Sequence, residues 1–517
     1  MMRKRILAVG IGLTLLAGAC SSDSDDYSTT TLGRYEPPNT VAQEETTTTA
    51  AASEAPYPDV SYDNPGVNPQ TDTKRDAFST FALDVDTGSY TVARRYVTDG
   101  YLPDADSVRI EEYINYFDQD YAETRDGAFA IHVDGGPTPY LEDDRSRVIR
   151  IGIQAVDVAD RDRKDAALTF VVDTSGSMNQ ENRLGGVRWA LSQLVEELNR
   201  TDTVAIVEYG SEARVILEPT RVRDRDRILD AIDSLRSNGS TNAAAGMDLG
   251  YRLAHDAFVE GGINRIILAS DGVANVGVTD ANGILDRVRE DAEDGIQLVT
   301  VGFGMGNYND TFMEQLADNG DGFYAYVDTL EEAERLFVDD LTGTLQTVAM
   351  DARVQVEFDE DAVSEWRLVG YENRDMDDRD FRNDEVDAGE IGAGHTVTAL
   401  YEVRLTGDAA YERSDVDLGT VSLRWQEVDS QQTKEVTRPI TTDDLSDRFR
   451  STDPRFQLSV MVAEYAEILR GNGRAYFSDA TLDDLAEDLW RLDDLDNDPD
   501  VREFIDLVEH AASLRSR

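Results

Sequence analysis

Oxygen-bearing side chains cluster in the stretch LTFVVDTSGSM, where an apolar run ends in Asp173 and the hydroxyls of Ser175 and Ser177 follow. The aliphatic and aromatic residues before Asp173 predict a buried strand, and the small polar residues after it predict an exposed turn. Two further oxygen groups occur downstream, Thr241 in the loop NGSTN and Asp271 directly after the strand-like run RIILAS. These five side chains could bind a metal ion through oxygen atoms alone.

The predicted ligand set contains two carboxylates and three hydroxyls, and neither histidine nor cysteine. Hard divalent cations prefer such oxygen ligands, and Mg²⁺ in particular takes six near-octahedral oxygens while it retains some waters. We therefore expect Mg²⁺, with Mn²⁺ and Ca²⁺ as alternatives. Because the protein supplies only two formal negative charges, a bound cation would leave no excess negative charge and one open position. A carboxylate of a partner protein could fill that position.

Alternating strands and helices must position these groups. The hydrophobic pattern predicts strands at 168–173, 203–209, 213–217, 264–270, 297–303 and 322–327, with helices near 183–199, 224–236, 243–259, 281–292, 310–317 and 330–345. Strands separated by helices indicate an α/β fold with a mostly parallel sheet covered on both faces. Ligands of such sheets bind beyond the carboxyl ends of the strands, which is where the five oxygen groups fall. The loops around Gly210, Asn275 and Gly306 share this edge.

Strand-like runs also flank this α/β core on both sides. FAIHVDG and RVIRIGIQAVDV precede it, and ARVQVEF, HTVTALYEVRL and GTVSLRWQEV follow it, before a helical end with FQLSVMVAEYAEILRG and REFIDLVEHAASL. One hypothesis is that the flanking strands pair with each other, so that the α/β core is an insertion in a β-sandwich.

Several other patterns point to no chemistry. LDVDTGSY resembles an aspartic-protease stretch, but that chemistry needs a second aspartate, and Ser175 replaces the required glycine in VVDTSGSM. We predict instead that Asp86–Ser89 caps the following helix. GFGMGNY lacks the third glycine of a dinucleotide loop, and DDLDNDPD lacks the glycine and glutamate of a calcium loop. The four histidines are scattered along the sequence: His132, His255, His395 and His510.

The N-terminus has the features of an export signal. Basic residues at 3–5 precede an apolar stretch at 6–16, and small residues lead to Cys20 in a segment that resembles a bacterial lipobox, with Ala17 where leucine is usual. Cys20 is the only cysteine, so we predict that it carries lipid and anchors the chain to a membrane on the extracytoplasmic side of the cell envelope. Residues 21–75 lack a pattern that could form a core and predict a flexible tether.

The formal net charge is −55, with 104 acidic residues against 49 lysines and arginines. Such an acidic chain repels the phosphate backbone of DNA and RNA. Nucleic-acid binding is therefore excluded as a function class.

The five oxygen groups resemble the metal-ion-dependent adhesion site of von Willebrand factor A domains, which has the pattern D-x-S-x-S, then a threonine, then an aspartate. That resemblance implies a Rossmann-like, doubly wound core in which the hydroxyls coordinate the metal directly and the aspartates act largely through water. DTGSYTVARRYVTDGYLPDADSVRIEEYINYF, RIILASDGVANVGVTD and DAGEIGAGHTVTALYEV are also similar to bacterial envelope lipoproteins with an A domain between an N-terminal segment and a C-terminal domain. The implied division is 1–20 signal peptide, 21–75 tether, 76–165 N-terminal segment, 166–348 A domain and 349–517 C-terminal domain.

The resemblance implies a non-enzymatic binding module, anchored by lipid, whose metal captures an aspartate or glutamate carboxylate of a partner protein. The alternative is an envelope assembly scaffold or chaperone-like factor. In that case the A domain docks secreted components, and the segments before and after it carry out the assembly function. An enzyme would need a nucleophile or an acid–base pair near the metal, and no histidine or cysteine is placed there.

Overall fold

The computed structural model describes residues 57, 60, 62, 64, 66–124, 127–140, 143–272, 281–304, 309–411, 415–471, 480–495 and 497–515. The predicted signal peptide with Cys20, most of the predicted tether, and the loops at Asn275 and Gly306 lie outside these residues. The end of the predicted tether is folded instead of flexible, because Thr71–Asp72 form a strand that pairs with the distant strand Val363–Val369. Over the described ranges, no helix combines the length and apolar character that crossing a membrane requires.

The described residues form sixteen strands and thirteen α-helices. The strands are β1 (Thr71–Asp72), β2 (Phe78–Ala82), β3 (Phe129–Gly136), β4 (Ser146–Ala155), β5 (Ala166–Asp173), β6 (Thr203–Tyr209), β7 (Ala213–Arg221), β8 (Ile263–Ser270), β9 (Gln297–Phe303), β10 (Tyr324–Val327), β11 (Thr347–Phe358), β12 (Val363–Val369), β13 (Gly389–Gly392), β14 (Thr396–Leu405), β15 (Asp417–Glu427) and β16 (Thr433–Thr441). The helices are α1 (Gly88–Thr98), α2 (Ile110–Asn115), α3 (Arg183–Glu197), α4 (Arg225–Ser234), α5 (Ala243–Ala257), α6 (Ala281–Glu293), α7 (Asp310–Asp318), α8 (Leu330–Glu334), α9 (Leu341–Leu345), α10 (Gly407–Tyr411), α11 (Pro454–Leu469), α12 (Leu482–Leu489) and α13 (Pro499–Arg515).

Strands β5 to β10 build the predicted α/β core around one six-stranded sheet. Its strand order is β10-β9-β8-β5-β6-β7, and every neighbouring pair is parallel except β6 with β7. Every residue of β5 and β8 is buried, as expected for central strands covered on both faces. Helices α3 and α4 bury leucine and isoleucine against one face, and α5 to α7 pack against the other. The structure confirms the doubly wound fold class.

The flanking strands pair across the α/β core, as the sandwich hypothesis states. Strand β4 precedes the core and pairs with β14, which follows it, and β2 pairs in the same way with β11. The two resulting sheets have the orders β1-β12-β14-β4-β3 and β13-β11-β15-β16. They share one buried apolar cluster, to which Ile151 and Val354 belong. The hypothesis of an inserted α/β core is confirmed.

A helical layer completes what we call the frame, which comprises β1–β4, β11–β16, α1, α2 and α10–α13. Helices α1 and α2 share a buried cluster with α11, α12 and α13 from the far end of the chain. Aromatic rings fill its centre: Phe504 lies 5.2 Å from Phe117 and 5.3 Å from Tyr465 between ring centroids. Aromatic packing therefore holds the last helix, α13, against α11 and against the residues that follow α2, and such packing buries a large apolar area.

Buried ion pairs join the frame to the α/β core. Arg94 of α1 donates to Asp328 at 2.6 Å and to Glu332 at 2.8 Å in the core, and it contacts Glu503 of α13 at 3.0 Å. A guanidinium offers five donors in a fixed plane, so one arginine can bind several carboxylates at once. Arg94 thus links three segments that are distant in sequence.

The segment LDVDTGSY, which resembles an aspartic-protease stretch, has a structural role that differs from the predicted helix cap. Helix α1 has Thr87 as its N-cap residue, without a side-chain capping bond. The Asp86 carboxylate instead accepts a hydrogen bond from the backbone N–H of Tyr324, at 2.9 Å, in strand β10. The predicted segment therefore supplies the N-cap residue, but the expected side-chain capping bond is not made, and Asp86 binds a long-range partner.

A buried carboxyl group in the frame should make stability depend on pH. Glu111 of α2 accepts one hydrogen bond from the backbone of Tyr371 at 2.9 Å, while its other oxygen is buried with no hydrogen-bond partner among the described residues. Burial, with the nearby charge of Glu372 as the next cause, raises the pKa of Glu111 to about 7. Because this pKa lies above that of an unfolded glutamate, the folded state is favoured at low pH, and that stability is lost as the pH rises through 7.

We expect the Glu111→Gln variant to flatten this pH profile. Glutamine keeps the acceptor for Tyr371 and cannot ionise, so the decline in unfolding free energy between pH 5 and pH 8, on the order of 3 kcal/mol for the wild-type group, should shrink. Urea unfolding at both pH values measures it. Glu360→Gln changes an exposed glutamate and serves as the control. An unchanged profile in Glu111→Gln would show that other groups cause the pH dependence.

Candidate metal centre at the carboxyl edge of the central sheet

Two neighbouring parallel strands deliver the two predicted aspartates to one edge. Strand β5 ends at Asp173, and β8 ends at Ser270 with Asp271 next in the chain. The two strands are in register, with Val172 opposite Ala269. A 3-10 turn at Gly176–Asn182 then leads from β5 into α3. The sheet therefore places the side chains of both aspartates at its carboxyl edge.

A chain of hydrogen bonds joins four of the five predicted ligands. Asp173 accepts from the backbone N–H of Ser175 at 2.7 Å. The hydroxyl oxygens of Ser175 and Ser177 lie 2.9 Å apart. Ser177 donates to one carboxylate oxygen of Asp271 at 3.0 Å. The structure thus brings together Asp173, Ser175, Ser177 and Asp271.

The loop that carries Thr241 is bound to the same turn, but the threonine itself is not joined to the other four. The backbone of Gly239 accepts a hydrogen bond from Gly176 at 3.0 Å, and the hydroxyl of Ser237 donates to the backbone of Ser175 at 2.7 Å. Among the described hydrogen bonds, none links Thr241 to an aspartate or serine of the site. Thr241 stays a predicted ligand that its loop brings to this edge.

Ser270 is a part of the site that the sequence did not single out. Its hydroxyl donates to the second carboxylate oxygen of Asp173 at 2.8 Å and accepts from the backbone of Gly272 at 3.2 Å. Both oxygens of Asp173 therefore have protein donors, which fixes the orientation of the carboxylate. The signal in the sequence was a serine immediately before Asp271 at the strand end.

Arg183 is the second residue that the sequence did not reveal. It begins α3, and its guanidinium Nη1 lies 2.8 Å from the carboxylate oxygen of Asp271 that does not face Ser177. The pair is buried, with the side chains of Arg183 and Asp271 only 4% and 5% exposed. Nothing in the local pattern pairs two residues separated by 88 positions. Only the fold brings them together.

Burial also sets the charge of the site. It raises the pKa of Asp173 to about 6, while the hydrogen bonds from Ser175 and Ser270 oppose that rise. A cation beside the carboxylate would favour its charged form and offset the cost of burial. The electrostatics of the site are those of a buried acid pair with one arginine counter-ion.

The side chains of the site fit a small cation with octahedral coordination. Two oxygens that bind one Mg²⁺ side by side at about 2.1 Å lie about 3 Å apart. The hydroxyl oxygens of Ser175 and Ser177 are 2.9 Å apart and meet this requirement without movement. The aspartate oxygens already accept hydrogen bonds from the protein, which suits the water-mediated role that the resemblance implies for them.

Another group of acids lies at the opposite edge of the core. Ligand oxygens of Asp321, Asp387 and Glu390 lie within 4.8 Å of one another. Burial, with the charge of Asp387 next, raises the pKa of Asp321 to about 7, so protons relieve part of the repulsion in this group. The group lacks the hydroxyls and the strand-end geometry of the first site.

Comparisons with known proteins agree with this architecture. Residues 167–339 match a family model described as the von Willebrand factor type A domain, residues 343–514 match one described as the C-terminal part of the uncharacterized protein YfbK, and residues 56–149 match one described as von Willebrand factor. The chain is 36% identical over 468 residues to the uncharacterized protein YfbK of Escherichia coli, which covers 86% of this chain and 80% of that protein.

Two further matches cover smaller parts or diverge more. The inter-alpha-trypsin inhibitor heavy chain H4 of Homo sapiens is 29% identical over 162 residues, which is 30% of this chain and 17% of that protein. A solved structure of a von Willebrand factor type A protein from Catenulispora acidiphila gives a TM-score of 0.40 at 16% identity, over 65% of this chain and 79% of that one.

Proposed function

The chain belongs to the family of YfbK and carries a von Willebrand factor type A domain, and on this premise we propose that it binds partner proteins through a metal. The cation is Mg²⁺, with Mn²⁺ or Ca²⁺ as substitutes, and the ligands are Asp173, Ser175, Ser177, Thr241 and Asp271. The observation that carries this proposal is the hydrogen-bonded set of aspartates and serines at the strand ends, with its 2.9 Å separation between hydroxyl oxygens.

The partner would contribute the last ligand. Mg²⁺ takes six oxygens, and three hydroxyls with two water-mediated aspartates leave one coordination position for an incoming group. An aspartate or glutamate side chain supplies a charged oxygen of the type that this ion prefers. The chain then acts as a binding module whose partner dissociates when the metal is removed.

Binding rather than catalysis is the function that these residues support. Catalysis of group transfer needs an activated nucleophile or an acid–base pair within hydrogen-bond reach. The described hydrogen bonds of the site involve aspartate, serine, glycine and arginine side chains or backbone groups. His255 and His395 pair instead with Asp291 and Asp340.

The proposed location is the cell envelope. Lipid on Cys20 would anchor the chain on the extracytoplasmic side of a membrane, and the part of residues 21–75 that precedes the folded residues would hold the folded part about 35 Å away from it. The support is the basic and apolar leader followed by small residues before a single cysteine. Metabolic labelling with a fatty-acid analogue tests the anchor, since Cys20→Ser should remove the label.

The scaffold alternative rests on the size of the frame. Its sheets and helices are built from the segments that precede and follow the α/β core in the sequence. Exposed apolar residues such as Trp490, which is 59% exposed, could contact a partner outside the metal site. In that function the frame binds the partner, and loss of the metal leaves binding intact.

A peptide-display selection separates the two functions. A random peptide library is selected on the immobilised chain in millimolar Mg²⁺ and eluted with EDTA. The proposed function predicts peptides that share an indispensable aspartate or glutamate and that EDTA releases. Peptides that remain bound in EDTA, and that bind equally well to a Ser175→Ala/Ser177→Ala chain, would favour the scaffold.

A further inference from the structure

We propose that the positive charge of Arg183 is a functional part of the metal site. It lowers the affinity of the site for the metal, and it strengthens the binding of an anionic ligand to the metal-loaded site. This inference rests on the proposed function, because it concerns the same site. The residue lies outside the predicted ligand set, and its role follows from the ion pair with Asp271.

The geometry puts the guanidinium next to the space that the cation would occupy. One oxygen of Asp271 accepts from Ser177, whose hydroxyl would bind the metal, and the other is paired with Arg183 at 2.8 Å. Arg183 and the metal would therefore share one carboxylate. Since both side chains of the ion pair are almost fully buried, salt in the solvent screens the repulsion between the two cations only weakly.

The neighbouring loop is shaped to hold Arg183. Gly304 follows β9 with a φ of +82°, and a Cβ atom at this position would overlap the Arg183 side chain. Glycine therefore serves two purposes here, since it adopts the left-handed backbone without strain and leaves room for the guanidinium. The arginine has a fitted place in the site and is not a surface residue that happens to face it.

Arg183 changes the charge of the loaded site. A divalent cation with the two aspartates alone would be neutral, whereas the arginine makes the total +1. A positive, desolvated site holds a cation less tightly, and it gains more from a carboxylate ligand, which returns the total to zero. The consequence is a site that keeps its metal best when a partner is bound.

Titration calorimetry with Mg²⁺ tests this role in three chains: the wild type, Arg183→Met and Arg183→Lys. Methionine preserves much of the side-chain length without the charge, and we expect it to tighten Mg²⁺ binding roughly 10- to 100-fold. Lysine retains the charge, and its dissociation constant should stay within about threefold of the wild type. If Arg183 served only to position Asp271, methionine would weaken binding, and the proposal would be wrong.

Thermal melting is a second measurement, and it tests the proposal even if Arg183→Met is less stable than the wild type. Without metal, Arg183→Met leaves Asp271 buried without its counter-ion, so its melting temperature in EDTA should fall below that of the wild type. The Mg²⁺-induced rise should be larger than in the wild type, because the metal takes over as counter-ion. A smaller rise would overturn the proposal. If no chain, the wild type included, responds to Mg²⁺ or Mn²⁺, the proposed metal function itself fails, which is a distinct result.

Discussion

Replacing Ser175 and Ser177 by alanine should abolish the rise in melting temperature that Mg²⁺ causes in the wild-type chain. These hydroxyls are the two predicted ligands whose spacing already suits the ion. A metal that binds only the folded state adds about 2.7 kcal/mol of stability at a hundredfold excess over its dissociation constant. The double variant should lose nearly all of this increment.

The comparison must separate metal binding from the hydrogen bonds that the variant also loses. Ser175 and Ser177 contribute to a chain that ends at Asp271, so the variant will be less stable in EDTA by about 1 kcal/mol per lost bond. The decisive quantity is therefore the difference between Mg²⁺ and EDTA within each chain. Ser192→Ala/Ser234→Ala is the matched control, because among the described residues these hydroxyls donate to carbonyls of their own helices and lie outside the hydrogen-bonded set of the site. A double variant that keeps the full Mg²⁺ shift would place the metal elsewhere.

Local sequence patterns predicted the parts of the site that depend on strand ends. An apolar run followed by Asp173, and another followed by Asp271, must end at the same edge if both strands are parallel and adjacent, and the structure has them so. Thr241 was assigned to the same edge from the position of its loop before a helix, but a loop has no periodicity that fixes where its side chain lies. Arg183 could not be predicted, because its ion pair depends on how α3 packs against the sheet.

The frame shows the same limit at a larger scale. The flanking strands could be recognised individually from their alternation, but their partners lie roughly 240 to 280 residues away, on the other side of the α/β core. Register between such strands is decided by the shared apolar cluster, which exists only after folding. Asp86 illustrates the opposite error, since a local capping rule was applied where a backbone N–H of β10 offered a better-buried partner.

Arg374→Met should destabilise the protein by about 3–5 kcal/mol, the cost of removing one partner from a buried ion-pair network. Arg374 lies in the C-terminal part of the frame, and its guanidinium contacts acids from two other segments. They are Asp84 at 3.0 Å, Asp86 at 3.4 Å, Glu314 at 3.6 Å and Asp318 at 3.0 Å. Methionine would leave these four carboxylates facing one another without their shared cation.

Unfolding in guanidinium chloride at pH 5 and at pH 8 measures this loss and its cause. Burial and the charge of Asp84 already raise the pKa of Asp86 well above its usual value, and loss of the arginine would raise it further. Protonation at pH 5 should therefore relieve part of the repulsion, so that the destabilisation is larger at pH 8. Arg379→Met is the control: it removes an exposed arginine paired with exposed Asp377, and it should leave the free energy of unfolding nearly unchanged at both pH values.

The same experiment reports whether the metal site and the frame unfold together. Glu314 and Asp318 belong to α7 of the α/β core, whereas Asp84 and Asp86 belong to the frame, so Arg374 bridges the two. If this bridge couples them, the wild type should unfold in one transition, and the variant should show an earlier, separate transition of the core. Mg²⁺ would then stabilise only that transition. A variant that unfolds in one step with a loss below 1 kcal/mol would mean that the shared sheets and helices, rather than the buried charges, hold the core in its frame.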